Sequence, residues 1–112
     1  MSVKETKSIP APSPTVLNDM VEYQPGSIVS RAILNQPSGS VTLFSFDAGE
    51  SLSEHTAPFD AMVVILDGEA LVTVAGQPYS LRAGETIIMP AGQPHALQAA
   101  KRFKMLLVMI MS

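Results

Sequence analysis

Apolar and polar positions divide the chain into two textures. From about residue 28 onward, short runs rich in Val, Ile, Leu, Phe and Thr recur at nearly regular spacing, separated by glycine, proline and small polar residues. They predict strands near 28–35, 40–47, 51–57, 61–67, 69–75, 78–81, 85–89, 95–99 and 103–111. Asp67-Gly68 between two such runs reads as a tight hairpin, because glycine reaches positive φ without a steric penalty. No stretch in this region keeps a helical period for ten residues, so the runs predict an all-β sandwich or barrel.

Residues 1–27 differ. Ile9-Pro10-Ala11-Pro12-Ser13-Pro14 reads as an extended, polyproline-like arm, since each proline fixes its own φ and restricts the residue before it. Val16, Leu17, Met20 and Val21 follow at a spacing that suits one or two helical turns or a short strand. The division is therefore an arm over 1–27 that docks on the barrel or on a partner subunit, and a barrel domain over 28–112. Three runs in that domain, Ala61–Leu66, Thr86–Met89 and Met105–Met111, are apolar at both parities. A strand with one wet face alternates instead, so something covers the outside of that sheet. The simplest cover is a second copy of the chain, which predicts a homodimer; the alternative is the arm alone.

Composition narrows the chemistry. The chain has 112 residues, enough for one domain and little more. It contains no cysteine, which removes disulfides, thiolate nucleophiles and sulfur-ligated metal sites and fits a reducing cytoplasm. Ten acids against seven bases leave a net charge of −3, the wrong sign for a phosphate backbone. Lys101, Arg102 and Lys104 cluster, but three cations flanking a strand read as a solvated edge, so no nucleic-acid partner is expected. The longest strictly apolar run, 105–111, is far short of the ~18 residues a membrane helix needs, and no membrane association is expected. The seven methionines read as adaptable packing. No nucleophile elbow, phosphate-binding glycine loop or dinucleotide fingerprint is present.

Both histidines fall into a spaced pattern. One stretch runs from Gly49 through five residues to His55, then Ala57, Ala61 and, after six residues, Gly68. The other runs from Gly84 through five residues to Pro90-Ala91-Gly92, two residues to His95, and three more to Ala99. The pattern resembles the two signature motifs of the cupin superfamily, G-x5-H-x-H-x3,4-E-x6-G and G-x5-P-x-G-x2-H-x3-N. The resemblance spans residues 49–99 and implies a double-stranded β-helix, or jelly-roll barrel, of the small single-domain kind.

In metal-binding cupins the first motif supplies two histidines and a glutamate, and the second another histidine. Those slots read here His55, Ala57, Ala61 and His95, and the closing asparagine slot is Ala99. The resemblance thus implies a divalent metal (Fe, Mn, Zn or Ni) on His55 and His95 only, which calls for a third ligand. Period-2 parity places Ser53, His55 and Ala57 on one strand face and Glu54 on the other; Asp60, beyond the Pro58 break, is the candidate third ligand. Ser53, Ala57, Phe59, Ala61, Met89, Ala99 and Met105 are the remaining pocket candidates, a wall suited to a small, partly apolar ligand. The leading expectation is a small-molecule-binding barrel centred on His55 and His95. A metal-dependent oxygenase, isomerase or decarboxylase using Asp60 is the alternative, and a structural or regulatory barrel without catalysis is the third reading.

Overall fold

The computed structural model describes residues 3–6 and 12–111. Nine strands account for nearly all regular structure: β1 (Val3–Thr6), β2 (Ile28–Gln36), β3 (Gly39–Phe46), β4 (Ser51–His55), β5 (Asp60–Val74), β6 (Gln77–Arg82), β7 (Thr86–Met89), β8 (His95–Gln98) and β9 (Phe103–Ile110). They form a curled sheet in the order β1-β2-β3-β9-β5-β8-β4, with β6 and β7 also paired to β5. The double-stranded β-helix implied by the motif spacing is the fold observed. Among the described residues no helix is long and apolar enough to cross a membrane.

The main departure from the sequence pattern is β5. The two strands expected over 61–67 and 69–75 are one strand, and Asp67-Gly68 is not a hairpin turn. The first part of β5 pairs with β7 and β9, the second with β6 and β8. A register shift between Ile65 and Asp67 bends the strand from one half of the barrel into the other. Gly68 makes the bend possible: its φ is +76°, and a Cβ there would collide with the Arg102 carbonyl oxygen and lie 2.9 Å from the Phe103 Cα. The tight hairpin falls instead at Ala75-Gly76, where φ is +51° and +80°, as a two-residue turn with both central residues left-handed requires.

Between the two halves lies one apolar core. Phe46 and Phe103 stack at 4.5 Å between centroids and are fully buried, with Ile28, Val63, Ile65 and Val72 around them. Each such side chain contributes roughly 1.5–3 kcal/mol of burial free energy.

A second, smaller cluster sits on the outside. Leu17, Met20 and Val21 pack over Val29, Leu43, Leu66 and Leu106. The weak helical spacing over 16–21 resolves as a single 3-10 turn, Leu17–Asp19. The arm's carbonyls, which have no ladder partner there, are satisfied by side chains of the sheet: Arg31 donates to Met20, Ser45 to Glu22 and Lys104 to Asn18. Tyr23 closes the clamp. Its hydroxyl donates to Asp67 Oδ2 at 2.6 Å, beside the β5 bend, and Arg102 and Lys104 lie over its ring. Burial and then the Asp67 hydrogen bond hold the Tyr23 phenol well above the usual tyrosine pKa.

The arm therefore supplies part of the cover expected of a second copy. The Ile9–Ala11 portion of the proline-rich stretch lies outside the described residues. Leu34, Ile88 and Ile110 remain 53–62% exposed on the same side of the barrel.

Replacing Gly68 by alanine should lower thermal stability much more than replacing Gly76. Both glycines have positive φ, but a Cβ at Gly76 meets nothing within 4 Å. Gly76→Ala should cost about 1–2 kcal/mol from backbone strain alone, whereas Gly68→Ala must also displace the β9 backbone. Equal melting temperatures of the two variants would contradict the close-approach role of Gly68.

Candidate functional site

His55 ends β4 and His95 begins β8, and the two face each other as a cross-strand pair. β4 is irregular: its register against β8 shifts by one between Leu52 and His55. The shift resets side-chain parity, so His55 shares the inner face with Leu52 instead of Ser53. On the other side, the loop 90–94 is tied down at both ends: Gly92 N–H donates to the Ala57 carbonyl and Ala75 N–H to that of Pro94.

The Nε2 atoms are 3.1 Å apart, with ring centroids at 4.3 Å and planes at 70°. His55 Nδ1 lies 2.9 Å from the Ser53 carbonyl and His95 Nδ1 3.2 Å from that of Gln93. A carbonyl only accepts, so each Nδ1 must carry a proton to make its bond. The Nε2 contact requires another proton between the rings. Three contacts thus need three protons, and two neutral imidazoles bring two. Geometry favours a pair that holds one additional proton or cation.

His95 is buried, 7% exposed, while His55 is exposed. Burial first, and the charge of His55 second, push His95 below the ordinary imidazole pKa of 6.5. His95 therefore resists protonation more than a free imidazole and offers its Nε2 as an acceptor.

Two neighbouring spaces adjoin the pair, His55 lining both and His95 the inner one. An inner chamber of about 130 Å³ is lined by the two histidines with Leu52, Ala57, Phe59, Ala61, Met89, Leu97, Met105, Leu107 and Met109. An outer vestibule of about 550 Å³ shares Leu52, His55 and Met109 with it. Ser30, Ala32, Asn35, Ser40, Thr42, Phe44 and Met111 complete its lining. Among the described residues no acidic or basic side chain other than histidine lines either space.

Of the pocket residues expected from sequence, the structure brings Ala57, Phe59, Ala61, Met89 and Met105 to the chamber. It does not bring Ser53 or Ala99. Ser53 is exposed because of the β4 shift, and offers only its carbonyl to His55. Ala99 is buried at the other end of β8, bonded through its backbone to Gly49 and Glu50.

Asp60 is not the third ligand. It is exposed, and its Oδ1 accepts from Ala91 N–H at 2.8 Å, bracing the loop that carries His95. Among the described residues no group of three His, Cys, Asp or Glu side chains could hold a metal. The methyl groups of Ala57 and Ala61 occupy the wall where further donors would stand. The donor set does not fit a centre with three protein ligands.

The vestibule residues carry little signal in the sequence. Along β3 the polar Ser40 and Thr42 face inward and the apolar Val41 and Leu43 outward, the reverse of the usual alternation, because the arm covers Leu43 from outside.

An all-β barrel of this topology with inward-facing imidazoles on β4 and β8 defines a double-stranded β-helix protein. The chain belongs to the cupin family: residues 42–111 match the cupin domain. It is similar to a conserved protein of unknown function from Streptococcus pyogenes, at 38% identity over 93% of this chain and 91% of that one, with a TM-score of 0.89. A cupin superfamily protein from Desulfitobacterium hafniense is 32% identical over 93% and 95% of the two chains, with a TM-score of 0.87. A cupin 2 conserved barrel domain protein from Leptotrichia buccalis is 44% identical over 83% of this chain and 45% of that one, at a TM-score of 0.80. No curated protein is a detectable relative.

The lowered His95 pKa sets a pH dependence of stability. Below pH 6.5 the unfolded chain protonates the His95 side chain while folded His95 resists protonation, so the unfolded state binds more protons. Stability should fall as pH drops through 6.5 and level off once folded His95 is also protonated. His95→Gln should flatten that part of the curve in urea unfolding between pH 7.5 and 4.5; an unchanged slope would contradict the assignment.

Proposed function

We propose that this cupin is a receptor for a small organic acid, with the His55–His95 pair as the polar anchor. The observation that carries the reading is the proton shortage at the pair. A third proton completes all three imidazole contacts and leaves a positive charge in a cavity that no carboxylate lines among the described residues. A carboxylate ligand supplies the missing counter-charge as an ion pair with the imidazolium, whose N–H groups are already donated to the two carbonyls and to the partner ring. The apolar chamber behind the pair takes the ligand's hydrocarbon part. At about 130 Å³ it approaches the ~150 Å³ of an apolar cavity that admits a benzene ring.

The same converging lone pairs support a second reading, a divalent Fe, Mn, Zn or Ni ion on His55 and His95. With only two protein donors that ion would depend on solvent or ligand for its other positions, and no reaction step is assigned through it.

A panel of small acids (benzoate, 3-phenylpropanoate, isovalerate) tests the proposal by thermal shift and calorimetry. At least one acid should stabilise the wild type, and His95→Ala should weaken its binding by about tenfold to a hundredfold, through loss of the shared proton and its charge. No stabilisation by any acid would overturn the reading. Stoichiometric metal in protein purified without chelator or metal resin would favour the second.

We also propose that two copies pair through the outer face that the arm leaves bare, where Leu34, Ile88 and Ile110 are exposed. Light scattering should return twice the chain mass; a monomer at micromolar concentration would overturn this.

A further inference from the structure

The inner chamber has a mouth and a floor. His55 is exposed and Ala57 and Phe59 are half-buried, so these three stand at the opening. Ala61, Met89, Leu97 and Met105 keep 6% or less of their surface and form the floor. A molecule held at His55 therefore reaches inward over Ala61.

The depth of the chamber is set on β5. Ala61 is in register with Met89 on β7 and with Met109 on β9, and all three line the chamber. Cross-strand neighbours on one face have Cβ atoms about 4.5–5.5 Å apart, so two long side chains flank one short one. The space over the Ala61 methyl group belongs to the chamber, and leucine there would put three more carbons into it. Ala57 differs, because at the mouth a longer side chain has solvent to turn into.

Size and lining together select the occupant. About 130 Å³ suits one ring and is too small for two fused ones, since a dry apolar cavity of ~150 Å³ takes up a single benzene. Phe59 and the thioethers of Met89, Met105 and Met109 surround the space. Aromatic and thioether groups hold an aromatic ring better than a saturated ring of similar size.

We infer that Ala61 is the size-determining residue of the chamber, and that the ligand is a carboxylic acid bearing a single aromatic ring. The ring lies over Ala61 and the carboxylate at the mouth beside His55. The carboxylate rests on the acid-binding reading above; the ring site is independent of it.

Benzene tests the ring site alone, and benzoate tests ring and carboxylate together. Benzene should raise the melting temperature of the wild type. Calorimetry should find benzoate bound about threefold to tenfold more tightly than cyclohexanecarboxylate, the range of sulfur–aromatic contacts. Benzoate should also bind about tenfold more tightly than 2-naphthoate, which overfills the chamber. Ala61→Leu should abolish the benzene shift and weaken benzoate at least about tenfold, because the added carbons occupy the ring's place. Ala61→Val repeats the test should leucine prevent folding. His95→Ala should lose benzoate and keep the benzene shift.

If benzene does not stabilise the wild type, or Ala61→Leu and Ala61→Val bind benzene and benzoate as the wild type does, the role of Ala61 is overturned. The acid reading would then rest on the aliphatic acid isovalerate. Equal affinity for benzoate and either cyclohexanecarboxylate or 2-naphthoate overturns the single-ring class. If benzene binds in an Ala61-dependent way and no acid binds, the ring site stands, while the acid reading falls and takes the ligand class with it.

Discussion

The barrel depends on one strand serving both of its halves. β5 passes from the β7–β9 side to the β6–β8 side without a turn, and the passage is made where Gly68 lies against the Arg102 carbonyl and Phe103 Cα. Any side chain at that point would push β9 away and separate Phe103 from Phe46, the stack at the centre of the core. The bend also serves the outer surface. Asp67, next to it, receives the Tyr23 hydroxyl, and Arg102, across from it, covers the Tyr23 ring. Core closure and docking of the arm are thus coupled through two adjacent residues of β5.

The same economy of irregular backbone places the site. A one-residue register shift in β4 turns His55 inward, and Asp60 braces the loop that delivers His95. The two rings then meet with their outer nitrogens held by backbone carbonyls and their inner nitrogens converging. With alanine in the other motif positions, this pair supplies the titratable groups on the cavity walls among the described residues. The barrel holds a facing pair of imidazoles without the further donors of a full metal centre.

Much of this was legible in residue spacing. Gly49, Gly84, Pro90 and Gly92 stand where the loops between strands need them, and the intervals to His55 and His95 placed both histidines at one end of one barrel. Alternation failed where it met bulges or an unusual cover. Parity counted through Ser53 put the wrong residue beside His55, because nothing local in Ser51–His55 marks the shifted register. Ser40 and Thr42 of β3 point inward because Leu43 is covered from outside by Leu17, Met20 and Val21, a contact between residues over twenty positions apart. Asp67-Gly68 has the composition of a hairpin, and only the approach of β9 shows that the glycine serves a bend instead.

The order of residues by itself determined the strand-rich texture, the family and the pairing of the two histidines, because each of these follows from local periodicity or from fixed intervals along the chain. Tertiary structure alone decided the protonation requirement of the pair, the loss of Asp60 to a structural hydrogen bond, and the burial of the Ser40 Oγ without a partner among the described residues. Those properties belong to atoms from distant strands brought within hydrogen-bond range, or left without a partner once folded. No spacing rule encodes distances of that kind.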